Sequence, residues 1–193
     1  MISIICYYAK NYNDALLVSK EVHDVAIDKT PDNHLIISNS LSVIVQSLIE
    51  LENYSEALPY CEENISILKR YKVDEDNHHL LMALQQYGDI NLHLKYYDSA
   101  EQAYLTCLQN HDEYNLVVLV TNLAQIYSER LINSIKLKDG KLCLEMYYKA
   151  IELFKSYPNA DPGLAFYFSP LSEQLIDILS IIPEDDRIKL CDD

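Results

Sequence analysis

Between residues 80 and 94 the apolar side chains fall at Leu80, Leu81, Leu84, Tyr87, Ile90 and Leu94. That three-and-four spacing puts one face of a helix against a core. A turn and a second helical stretch follow, with Asp98 or Ser99 as its expected cap and Ala100, Ala103, Tyr104, Cys107 and Leu108 along one side. The same couplet recurs along the chain. Four short segments mark it: NYNDA at residues 11–15, NYSEA at 53–57, YYDSA at 96–100 and KDGKLC at 138–143. Their small residues Ala15, Ala57, Ala100 and Cys143 are spaced 42, 43 and 43 apart. A period of that size signals stacked supersecondary units, each unable to bury its apolar face alone.

The periodicity predicts a stub at 2–10 followed by helices at 14–29, 34–51, 55–71, 80–94, the Ala100 stretch, 116–137 and 141–156. An unpaired helix at 164–182 ends at Pro183, and Ser172, Glu173, Gln174 and Asp177 give it the wet face expected of a terminal cap. The hairpins are expected at 2–30, 34–72, 77–111 and 115–157, with a cap at 163–182. All belong to one domain over 1–183, and a charged tail follows at 184–193. Gly88, inside a helix where glycine costs about 1 kcal/mol relative to alanine, is expected where two helices approach closely.

Composition agrees with an all-α chain. Three glycines and six prolines in 193 residues are too few turn formers for a sandwich or barrel. The formal net charge of −15 excludes phosphate-rich nucleic acid and anionic membrane surfaces as natural partners. It suits a basic or neutral protein partner, or serves solubility alone. Five dispersed cysteines without a C-x-x-C pair do not form a disulfide or zinc framework. Cys61, Cys107 and Cys143 fall at small-residue packing positions and read as reduced core thiols in the cytoplasm. The apolar stretch 2–9 lacks a basic leader and is too short for a signal peptide or a membrane span.

Leu84, Tyr87, Gly88, Asn91, Ala100, Tyr104 and Cys107 resemble the tetratricopeptide repeat pattern. Cys143, Tyr147 and Ala150 match its second helix, and Leu41, Ile44, Val45, Leu48, Ala57, Cys61 and Asn64 match it more weakly, without the glycine. The period is similar to the longer repeats of kinesin light chain and of bacterial peptide-sensing regulators. Aspartate-asparagine-histidine connectors at 32–34 and 76–78 agree with this. The resemblance covers about residues 5–157 and implies a right-handed α-solenoid of helical hairpins. It implies a binding scaffold rather than an enzyme.

In such a stack the leading helix of each pair lines the concave side. The motif register places Ser42, Gln46, Gln85, Gln86, Asp89, Asn122 and Gln125 there. Amide side chains can pair with both N–H and C=O of an extended peptide; the same residues also suit a merely solvated face. The family's carboxylate clamp of Lys, Arg and Asn is missing, since its positions carry Ser42, Gln46, Met82 and Gln86. Two functions follow as expectations: an adaptor or scaffold holding a partner peptide or helix, and a peptide-sensing regulatory domain of the quorum-response type.

Most of the sixteen tyrosines fall at packing positions or turns, leaving Tyr8, Tyr97 and Tyr148 as candidates for ligand stacking. His78 and His79 with Asp74, Glu75 and Asp76 lack the spacing of a metal site. No catalytic or cofactor-binding motif is recognisable. Ile2, Ile4, Ile5 and Tyr8 on the stub form an apolar patch for self-association or for docking of an upstream segment.

Overall fold

A computed structural model describes residues 2–71, 78–110, 116–157 and 181–182 of the chain. Among these residues there are eight helices and no strand: α1 (Ile2–Tyr8), α2 (Tyr12–Lys29), α3 (His34–Glu50), α4 (Tyr54–Tyr71), α5 (His78–His93), α6 (Tyr97–Gln109), α7 (Leu116–Leu137) and α8 (Gly140–Ser156). None is long and apolar enough to cross a membrane. The chain divides into two compact units, Met1–Asn110 and His111–Asp193. The expected cap at 163–182, apart from Ile181 and Ile182, and the tail at 184–193 lie outside the described residues.

One turn, used four times, joins each leading helix to its trailing helix. Lys10, Glu52, Lys95 and Lys138 adopt left-handed backbone with φ of 59°, 57°, 63° and 56°. The next N–H, on Asn11, Asn53, Tyr96 and Asp139, donates back to Cys6, Leu48, Asn91 and Ser134 carbonyls at 2.9, 2.8, 2.8 and 2.9 Å. This six-to-one bond closes the leading helix and satisfies a carbonyl that would otherwise be orphaned. The trailing helix starts at once. Asn11 accepts from Asp14 N–H, and Asp139 accepts from Leu142 N–H at 3.1 Å. The expected cap of α6 at Asp98 or Ser99 is corrected to Tyr96, which makes no side-chain cap bond. The turn at Lys95 dictates where the helix begins, and Asp98 instead occupies the first turn, where its charge favours the helix dipole.

Four residues beyond the cap lie Ala15, Ala57, Ala100 and Cys143, all fully buried. They let the trailing helix lie close to its neighbours. In the first unit each helix packs on the next in sequence from α1 to α6, and the leading helices α1, α3 and α5 also touch in succession. Ile44, Val45, Leu48, Ala57, Cys61 and Ile90 form a continuous core across α3, α4 and α5. Polar ties cross the same layers: His23 Nδ1 lies 3.1 Å from Ser40 Oγ, Ser38 Oγ donates to Asn64 Oδ1 at 2.7 Å, and Lys20 pairs with Glu56 at 2.7 Å. Tyr54 stacks on His93 at 4.1 Å, fastening α4 to α5. In the second unit α7 packs on α8 around Leu119, Leu123, Ile126 and Met146, and Ile182 is buried.

Gly88 is a close approach within the α5–α6 hairpin. A Cβ there would sit 2.5 Å from Cε1 and 2.8 Å from Cζ of Tyr104, a fully buried ring that would have to shift. Gly88→Ala therefore loses more by overpacking than it gains in helix propensity. The expected net destabilisation is about 1–3 kcal/mol in urea unfolding; an unchanged midpoint would disprove the tight contact. Lys95→Gly has the opposite sign. Left-handed backbone costs a residue with Cβ about 1–2 kcal/mol, and glycine's extra freedom in the unfolded chain offsets part of the gain. A rise of about 0.5–1 kcal/mol is expected in the same assay.

Candidate functional site

The seven candidate residues occupy three leading helices. Ser42 and Gln46 lie one turn apart on α3, Gln85, Gln86 and Asp89 on α5, and Asn122 and Gln125 on α7. All seven are half-buried. Ser42, Gln46, Gln85, Gln86 and Asp89 belong to the first unit, where α3 touches α5; Asn122 and Gln125 belong to the second.

The left-handed residues stand five before Ala15, Ala57, Ala100 and Cys143 and mark the same register. Ser42 and Gln85 each stand ten residues before one, and Gln46 and Asp89 each stand six before. These four are structural equivalents on adjacent leading helices. By the same count the equivalents on α7 are Ser128 and Ile132, which the motif register overlooked. Asn122 and Gln125 correspond instead to His79 and Met82 on α5. The signal that would have found Ser128 was the 43-residue spacing of Ala57, Ala100 and Cys143, which carries Ser42 to Gln85 and on to Ser128.

The candidates also differ in chemistry. Ser42, Gln46 and Gln86 have no side-chain partner among the described residues. Gln125 donates to Glu129 Oε1 one turn along its own helix at 2.9 Å. Asp89 accepts a 2.7 Å hydrogen bond from Tyr104 Oη, the tyrosine whose ring passes over Gly88. Burial pushes the Asp89 carboxyl above its ordinary value, while the Tyr104 hydroxyl and the nearby His93 pull it back. Asp89 thus takes part in packing α5 on α6.

Other reactive groups are subdued. Cys61, Cys107 and Cys143 are buried free thiols. Loss of hydration raises Cys61 to about 12 and Cys107 to about 11, so both stay protonated and unreactive at neutral pH. His78 and His79 meet edge to face at 6.0 Å. Among the described residues no three His, Cys, Asp or Glu side chains are placed to hold a metal ion. Asp74, Glu75 and Asp76 lie outside the described residues. Of the three tyrosines singled out for stacking, Tyr8 is 80% exposed, whereas Tyr97 and Tyr148 are half-buried.

No family model matches the chain, and a comparison with characterised proteins also finds no match.

The raised Asp89 carboxyl sets a pH dependence. A folded-state value above the unfolded one means a contribution to stability that is present below the ordinary value near 3.8 and lost as pH rises through the folded value. Asp89→Asn keeps an acceptor for Tyr104 and removes the buried charge. It is expected to be more stable than the parent at pH 7, with the advantage shrinking as pH falls towards 4. Calorimetry of both proteins across that range checks this, and a pH-independent difference would exclude it.

Proposed function

We propose that the chain is a protein-interaction module, an adaptor or scaffold built as a right-handed solenoid of tetratricopeptide-like hairpins and closed by a C-terminal capping helix. Its ligand is a peptide or helix of a basic or neutral partner, received on the concave side formed by the leading helices. The observation that carries the reading is the set Ser42, Gln46 and Gln86. These side chains are half-buried on two leading helices that touch, yet have no partner among the described residues.

A half-buried amide without a protein partner is served by water, which a peptide N–H and C=O can replace at similar enthalpy. Each bond exchanged contributes about 0.5–1.5 kcal/mol. Such a lining holds an extended backbone with little demand on its side chains. The uncharged positions give no countercharge to a terminal carboxylate, so an internal segment of the partner is the better fit. The charge of −15 adds attraction for a basic segment and makes binding weaken as salt rises.

Peptides selected from a random library by the purified chain provide the ligand for the test. The triple variant Ser42→Ala, Gln46→Ala, Gln86→Ala is expected to bind them at least about tenfold more weakly by calorimetry, with an unchanged melting temperature. Affinity equal to the parent would move the site away from these helices.

A further inference from the structure

One buried side chain of α2 differs in kind from its counterparts in the other hairpins. His23 stands thirteen residues after the left-handed Lys10. At the same distance α4, α6 and α8 carry Ile65, Leu108 and Ile151, all half-buried. Three hairpins thus place an aliphatic side chain there, and the first places an imidazole. The His23 ring is 7% exposed, and it is the one buried histidine among the described residues. A group that can take up a proton occupies a place that isoleucine or leucine fills elsewhere in the same stack.

The hydrogen bonds around the ring settle which nitrogen carries the hydrogen. Ser40 has a single hydroxyl hydrogen and donates it to the Ile37 carbonyl at 2.7 Å. Its oxygen is left to accept from His23, whose Nδ1 lies 3.1 Å away. Nδ1 therefore bears the hydrogen of the neutral ring, and a further proton can enter only at Nε2. The surroundings are poor in countercharge. Between residues 35 and 49, α3 has no ionisable side chain. From α1 come Cys6, Tyr7 and Tyr8, and from α4 come Tyr60 and Glu56. Glu56 is already held by the Lys20 ammonium at 2.7 Å, and Lys20 lies one turn from His23 on α2. Asp24, the next residue of α2, is exposed to water.

We propose that His23 is an acid-sensitive latch between the first and second hairpins: uncharged, it closes α2 on α3, and a proton at Nε2 loosens that joint. The cause is burial of charge. An imidazolium whose one hydrogen bond among the described residues goes to Ser40 is better solvated in water than between two helices. Proton uptake therefore goes with opening. The contribution to stability is full above the range in which an imidazole binds its proton and is lost as pH falls through that range. This is the opposite sense to Asp89, and it is independent of the face bearing Ser42, Gln46 and Gln86.

Comparison of the full chain with His23→Leu, which installs the side chain of the equivalent Leu108, tests the latch. Between pH 7 and 5, urea unfolding is expected to show the parent's folding constant falling at least about tenfold further than the variant's, since the other ionisable groups are common to both. His23→Gln keeps a donor for Ser40 but takes up no proton, and it repeats the comparison where leucine is not accommodated. Amide hydrogen exchange, corrected for its intrinsic pH dependence, is expected to show α2 losing protection at pH 5 before α5 and α6 in the parent and not in the variants. A stability difference from both variants that stays constant from pH 7 to 5 would overturn the proposal. So would acid loss of protection spread evenly over the first unit, or nitrogen NMR placing the neutral ring's hydrogen on Nε2.

Discussion

The left-handed turn between paired helices is the constraint on which the rest depends. A six-to-one bond reverses the chain in three residues and delivers a fully buried Ala15, Ala57, Ala100 or Cys143 to the start of the next helix at each recurrence. Because the turn is so short, the relative rotation of the two helices is set by it. Which positions face inwards therefore repeats with the turn. The four non-glycine residues at positive φ, Lys10, Glu52, Lys95 and Lys138, bear a local cost that packing on both sides overrules.

The interior is built around close helix approach, and polar groups are fitted to it. Gly88 admits the Tyr104 ring, and that ring carries its hydroxyl to Asp89. Three residues thus form one contact, in which the missing Cβ, the ring and the carboxylate depend on each other. Asn64 with Ser38 and His23 with Ser40 tie helices together in the same way elsewhere in the first unit, one buried polar atom of each meeting a partner. Cys61 and Cys107 are small apolar fillers whose ionisation is suppressed by burial, which suits packing and not redox or metal chemistry.

Surfaces follow from what this packing leaves over. Leading helices of 17 and 16 residues reach far enough to bury Asn64 and Cys107 on their trailing helices. On α2, Val22 and Val25 are exposed. Polar groups left half-buried and apolar groups left exposed are the two ways a repeat stack advertises sites. Ser42, Gln46 and Gln86 are half-buried and Val22 and Val25 exposed, on different helices of the first unit.

Much of this was legible from residue order. Helix content, the 42- and 43-residue spacing, the small residues at the hairpin and the role of Gly88 follow from periodicity and side-chain volume, because these are properties of one helix face and its immediate neighbour. Three things were settled only by tertiary structure. The cap of α6 moved to Tyr96, because the turn before it fixed the start against side-chain preference. Asp89 proved to be engaged by Tyr104, a partner fifteen residues away whose reach depends on how α6 crosses α5. The left-handed backbone of Lys10, Glu52, Lys95 and Lys138 emerged only there, since lysine and glutamate carry no local preference for positive φ and take it only under the packing of both helices.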